Sequence, residues 1–175
     1  VDNISGLIRT FPVNLAVQND YGLEFTFSKR IRKLVRLNGN FNFYRAITTG
    51  EYLGVDYSAD TYTWSSRITA KIKLPKKYDF QTSFMYRGPR NVAQGKRLAM
   101  YGLDMGISKD LLKDKATLTL SVRDLLNTRR HRSITSGDDF YSESNFQWRS
   151  RQFLLNFSYR LNQKPSKGGH GKRGY

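Results

Sequence analysis

The chain has 175 residues, a formal net charge of +16 and no cysteine. That length holds one domain with a sizeable core. The missing cysteines remove a disulfide framework, a thiolate metal site and a thiol nucleophile. The charge calls for an anionic partner or surface, with nucleic acid, lipopolysaccharide and acidic lipid head groups as candidates. No apolar run approaches the ~20 residues of a spanning helix, a result that a transmembrane β-barrel also gives because its lipid-facing and lumen-facing residues alternate.

Residues 1–10 do not alternate and read as a loop or a truncated strand. Val stands at position 1 and no signal-peptide pattern follows, so the sequence reads as a processed product or a piece of something longer. From there to residue 161 the chain reads at period two, the pattern of strands with one oily side. Tyr21, Leu23, Phe25 and Phe27 oppose Gly22, Glu24, Thr26 and Ser28. After the basic turn Lys29–Lys33, Val35, Leu37, Phe41 and Phe43 oppose Arg36, Asn38, Asn40 and Asn42. A polar loop over 47–60 leads to Tyr62–Leu74, with Trp64, Ile68, Ala70 and Ile72 against Arg67, Thr69, Lys71 and Lys73, and Pro75 ends that strand. Tyr78, Phe80, Phe84 and Tyr86 then oppose Asp79, Gln81, Ser83 and Arg87. A basic loop follows over 87–97. Tyr101, Leu103, Met105 and Ile107 oppose Gly102, Asp104, Gly106 and Ser108. Ala116, Leu118, Leu120 and Val122 oppose Thr117, Thr119, Ser121 and Arg123, and this strand is expected to continue through 124–135 with a bulge at Leu125–Leu126. A third long loop, from Gly137, leads to the last strand, Phe146–Leu161, where Phe153, Leu155, Phe157, Tyr159 and Leu161 face away from Gln152, Asn156, Ser158 and Arg160.

The predicted fold is all-β, an antiparallel meander of about seven long strands from a transmembrane barrel. Connections alternate long and short, which puts the long polar loops at one end, and aromatic residues gather near strand ends, as at a membrane interface. The oily sides are therefore expected to meet lipid through Leu23, Phe25, Phe27, Leu37, Phe41, Phe43, Ile68, Ile72, Phe80, Phe84, Leu103, Ile107, Leu118, Leu120, Val122, Phe153, Leu155, Phe157, Tyr159 and Leu161. The opposite parity gives a lumen-facing set of Glu24, Arg67, Lys71, Lys73, Arg87, Asp104, Arg123 and Arg160, with Glu24 expected to pair with a neighbouring Arg or Lys. Arg45, Arg149 and Arg151 fall on the outward parity at the long-loop end, where lipopolysaccharide phosphates would meet them. The basic set could line a path for an anionic solute.

Other patterns carry little. Asp138, Asp139 and Glu143 lack the spacing of a calcium loop, and His131 and His170 are too isolated for a metal site. No catalytic constellation is present, so neither an enzyme nor a cofactor is expected.

Several segments together resemble the C-terminal strands of TonB-dependent outer-membrane receptors, in the subgroup with a carboxypeptidase-regulatory-like domain. They are Asn14 followed by GLEF at 22–25, LNGNFNFYR at 37–45, SVRDLLNTRRHRS at 121–133 and FQWRSRQFLLNFSYRL at 146–161. The resemblance covers 11–161 and implies the last strands of a barrel of about 22. It also implies nutrient uptake across the outer membrane of a Gram-negative cell, with TonB acting through an N-terminal plug, and on it the lumen-facing set is plug-facing and holds that plug by salt bridges in preference to lining a path for an anionic solute. On this reading Phe153, Phe157, Tyr159 and Leu161 form the signal to the barrel-assembly machinery, and residues 162–175 form a basic, disordered periplasmic tail. The last strand departs from the family pattern by ending at Leu161 and a tail rather than on a terminal aromatic. Two alternatives stay open: a small self-contained outer-membrane barrel with a structural or adhesive role, and a soluble basic β-domain for single-stranded nucleic acid. The second is disfavoured because the oily sides lack interleaved cations.

Overall fold

The computed structural model describes residues 17–52, 54–137 and 140–161. The expectations for 1–10, for the tail 162–175 with His170, and for Asp138 and Asp139 fall outside the described residues. Alternation becomes pairing in thirteen strands. They are β1 (Val17–Ile31), β2 (Val35–Thr49), β3 (Glu51–Tyr52), β4 (Val55–Asp56), β5 (Ala59–Leu74), β6 (Tyr78–Arg87), β7 (Arg90–Val92), β8 (Gly95–Arg97), β9 (Met100–Leu111), β10 (Ala116–Arg123), β11 (His131–Gly137), β12 (Phe140–Phe146) and β13 (Gln152–Tyr159).

Seven of them build one antiparallel sheet in the order β1-β2-β5-β6-β9-β10-β13, the expected meander. Register explains why it holds together. Residues directly opposite share a face, and one row runs Val35, Ile72, Phe80, Ile107, Leu120, Leu155 across six strands. The next row runs Arg36, Lys71, Gln81, Gly106, Ser121, Leu154 on the other face. A slip of one residue in any strand would invert this sorting, so the pattern itself fixes the pairing.

Among the described residues no second layer covers the apolar face of the sheet. Among described apolar side chains only Ala46, Met100 and Ala116 are buried, while Phe25, Leu120, Phe157 and Leu155 stay 58%, 52%, 61% and 72% exposed. A soluble sandwich would cover such a face, and an exposed apolar surface this continuous marks contact with a membrane or another protein. β1 and β13 are the two edges of the described sheet.

One end is tight. The turns at Arg32, at Lys76–Lys77 and at Leu112–Asp114 all take left-handed backbone conformations, and Lys77 Nζ reaches Asp114 Oδ1 at 2.6 Å to tie two of them together. At the other end the expected loops are themselves ordered. β3–β4 is a small hairpin, and β7–β8 and β11–β12 are hairpins that join as a second sheet, β12-β11-β8-β7. Ser133 pairs with Arg97, and Leu98 N donates to Arg132 O at 2.9 Å.

Three expectations are corrected here. The chain does not run from β10 through a bulge into 124–135. It breaks at Asp124 and Asn127, both with positive φ, and leaves the main sheet for β11. The last strand is shorter than expected, because Phe146 belongs to β12 and residues 147–151 are irregular. Arg149 and Arg151 therefore sit on no strand and have no outward parity, and Leu161 lies beyond the end of β13.

Candidate functional site

The convex face is apolar between two charged margins. Among the described residues its charged strand residues are Lys29 and Lys109 toward the tight turns and Arg45 and Asp60 toward the hairpins. On β2 itself no charge interrupts this face from Val35 to Phe43, close to the ~9–11 residues with which a tilted strand crosses hydrocarbon, although Lys29 on β1 stands opposite Leu37. Every strand residue expected to face lipid lies on this side by register, from Leu23 opposite Phe43 to Leu118 opposite Phe157. Aromatic rings mark its upper margin: Trp64 stacks on Tyr86 at 4.1 Å and meets Phe41 at 5.6 Å, and Phe43 stacks on Tyr62 at 6.1 Å. At the lower margin Lys109 Nζ lies 4.7 Å from the centre of the Tyr78 ring. Phe27 lies across Gly39 on the paired strand, where an added Cβ would fall 2.4 Å from the ring, so glycine makes room for the aromatic. Arg45 is on this face as expected, but its charge is already met: Nε donates to Asp60 Oδ1 at 3.0 Å and the guanidinium lies over Tyr62.

The concave face is polar. Glu24, Arg67, Lys71, Lys73, Arg87, Asp104 and Arg123 all lie on it by register. Arg160 follows β13 on the same parity and donates to Asp114 O at 2.8 Å. The expected partner of Glu24 is absent: among the described residues it joins no ion pair, and its cross-strand neighbour is Asn42. Glu24 sits on edge strand β1, which has a neighbour on one side only.

A compact polar lock holds the upper part of this face, and sequence reasoning missed it. Asp124, 3% exposed, accepts from Thr128 N and Arg129 N at 3.0 Å each, turning the backbone sharply after β10. The turn delivers Arg129 Nη2 to Asp104, 2.9 Å from each carboxylate oxygen, and Asp104 also accepts from Asp124 N at 2.8 Å. Gly102 supplies the space, since a Cβ there would meet Arg129 Nε at 2.9 Å. Asn127 Oδ1 accepts from Gln147 Nε2 and Arg151 N, fixing the approach to β13 and giving Arg151 a structural place. The only signal in the sequence was the motif DLLNTRR, where Asp and Asn are the non-glycine residues that best tolerate such backbone.

Three concave clefts follow. The central one, about 290 Å³, mixes Lys71 and Arg123 with Asp79 and Asp104, so its charges offset one another. A groove of about 480 Å³ at the tight-turn end is lined by Arg30, Lys33, Arg36, Lys71 and Lys73, all exposed to solvent. The largest, about 660 Å³, lies at the hairpin end. Its floor is Asn42, Tyr44, Thr63 and Ser65, and Arg90, Arg97 and Arg130–Ser133 close over it. In the hairpins above, Asp56 is held below the usual carboxylate range by Ser58, and Glu143 raises the Tyr141 phenol. Among the described residues no group of His, Asp and Glu gathers as a metal site.

Residues 1–159 match the family model described as outer membrane protein beta-barrel family. No curated protein and no solved structure matches the chain. That match agrees with an uncovered apolar face bounded by charge and aromatic rings, a polar concave face, and ordered hairpins at one end only: this chain belongs to the outer membrane protein beta-barrel family and is a protein of the outer membrane.

Proposed function

We propose that the chain forms the C-terminal part of the barrel wall of a TonB-dependent receptor in a Gram-negative outer membrane, and that it takes part in nutrient uptake. The observation that carries this reading is the pair of open edges. Among the described residues β1 and β13 each present a row of backbone groups without a partner strand, on a sheet whose other features belong in a bilayer. Unpaired backbone is costly in hydrocarbon, so barrels close, and strands beyond those described would complete this wall. The concave polar face would then hold a plug through residues such as Arg67, Lys71 and Arg123, and TonB would act through that plug. The chain's own residues do no chemistry in this scheme. β13 would be presented to the barrel-assembly machinery with Phe153, Phe157 and Tyr159 along its outer side.

Single-stranded nucleic acid is the weaker partner. The exposed rings lie on a face with no cation between its charged margins, whereas stacking platforms combine aromatics with a basic groove. The test is to recover the native polypeptide from outer membranes with an antibody to the β11–β12 hairpin. Mobility that changes on heating, a length well above 175 residues and retention by the periplasmic domain of TonB are expected. A heat-modifiable protein no longer than this chain, with no such retention, would instead support the small self-contained barrel.

A further inference from the structure

The cleft at the hairpin end, unlike the central one with Asp79 and Asp104, has cations without acids, and unlike the basic groove at the tight-turn end it is roofed by hairpins. Arg87, Arg90, Arg97, Arg130 and Arg132 converge on it, and no Asp or Glu is among its lining residues. The ion pairs found among the described residues are Arg45–Asp60, Lys77–Asp114 and Arg129–Asp104, so none of these five arginines is neutralised. Two are nonetheless held in place by neutral acceptors. Arg90 Nη2 donates to Gln18 Oε1 at 3.1 Å, and Arg132 Nη2 donates to Ala99 O at 3.1 Å. Arg130 Nε is buried in the same place without a protein acceptor. Gathering guanidinium groups costs repulsion. Anionic oxygens that accept from several of them at once would offset that cost.

From this we infer that the cleft is a binding site for a small soluble polyanion, a compound carrying two or more phosphate or carboxylate groups. The floor residues Asn42, Ser65, Arg87 and Met100 form one paired row on the concave face. The site therefore opens toward the barrel interior and away from the lipid boundary, which argues for a solute rather than a lipid head group. The roof comes from β7–β8 and β11, elements tied together by Ser133 opposite Arg97. The basic groove at the tight-turn end does not qualify, because only β1, β2, β5 and the turn between the first two line it, so no second element closes over its cations. The inference goes beyond the receptor proposal and stands without it, since binding needs neither a plug nor TonB.

The test uses the full protein purified from the outer membrane in non-ionic detergent, titrated with inorganic tripolyphosphate by calorimetry. Saturable binding at one site is expected, weakening as salt rises. Arg97→Gln combined with Arg132→Gln should weaken it by about tenfold or more, with heat-modifiable mobility unchanged because both side chains are exposed. Arg30→Gln combined with Lys73→Gln, at the other groove, should leave it unaltered. Citrate should displace tripolyphosphate and lipopolysaccharide micelles should not. Absence of saturable binding, equal weakening by the two variant pairs, or displacement by the micelles alone would each overturn the assignment. None of these results bears on outer-membrane location or TonB retention, so the two readings fail separately.

Discussion

The two faces of the wall are made from the same strands, residue by residue, yet they use opposite physics. On the convex face, side chains gain little from one another, since most stay exposed, and their stabilisation awaits an apolar solvent. On the concave face, stabilisation is internal: Asp104 binds Arg129 and the backbone of Asp124, Asn40 Oδ1 accepts from Arg67 N, and Thr69 pairs with Ser83. The difference teaches that this sheet is a boundary between two solvents rather than half of a core. A substitution should therefore be judged by its face before its chemistry.

The largest expected effect falls where the convex face meets assembly. Tyr159→Asp puts a carboxylate on the outer side of β13, next to Ala116 on the paired strand, and is expected to block insertion. Heat-modifiable protein in outer-membrane fractions should fall to near the limit of detection, and normal levels would refute the role given to this strand. A sharper comparison uses neighbours on β10. Leu120→Arg puts a cation in the middle of the apolar row and should cost about 2–4 kcal/mol of folding stability in bilayers. Thr119→Arg, one residue away on the concave face, should change stability by no more than about 0.5 kcal/mol. Urea titration of refolded protein measures both, and equal effects would show that the faces do not differ in solvent.

Much of that contrast was legible in the sequence because period two is an all-or-none signal. Once Phe41 and Phe43 stand opposite Asn40 and Asn42, a register error would invert a whole strand. The seven long strands and the sorting of Arg67 from Ile68 follow from this. The hairpin end was not legible, since its contacts are non-local and leave no periodic trace. Arg97 pairs with Ser133 across the second sheet, and Arg129 meets Asp104 only because Asp124 turns the chain first. Arg149 and Arg151 could be given a parity only by extending the last strand backward, and the hydrogen bonds of Asn127 to Gln147 and Arg151 replace strand pairing there.

The lock permits a test of intermediate size. Asp104→Ala leaves Arg129 facing the concave surface with its side chain one-third exposed and no carboxylate. It should cost about 1–2 kcal/mol, because a partly buried charged hydrogen bond outweighs a surface pair. Lys77→Met, which removes a more exposed bridge between two turns, should cost under about 1 kcal/mol. If the two losses were equal, the lock would be no more than surface decoration.

The smallest effect separates the hairpins from the wall by pH. The Asp56 carboxyl lies below the usual range because the Ser58 side chain, and after it Ser58 N donating to Oδ1 at 2.8 Å, favour the charged form. A depressed folded value means the contribution is complete above the unfolded carboxylate pKa and is lost as pH falls through the lower folded value. Acidification should therefore speed amide exchange at Ser58 while exchange at Leu120 and Phe80 in the wall stays constant. Asp56→Asn, which cannot titrate, should abolish that pH dependence. If acid instead loosened the wall and the β3–β4 hairpin together, the hairpin could not be a separately stabilised unit, and the contrast between loop and wall would have to be drawn elsewhere.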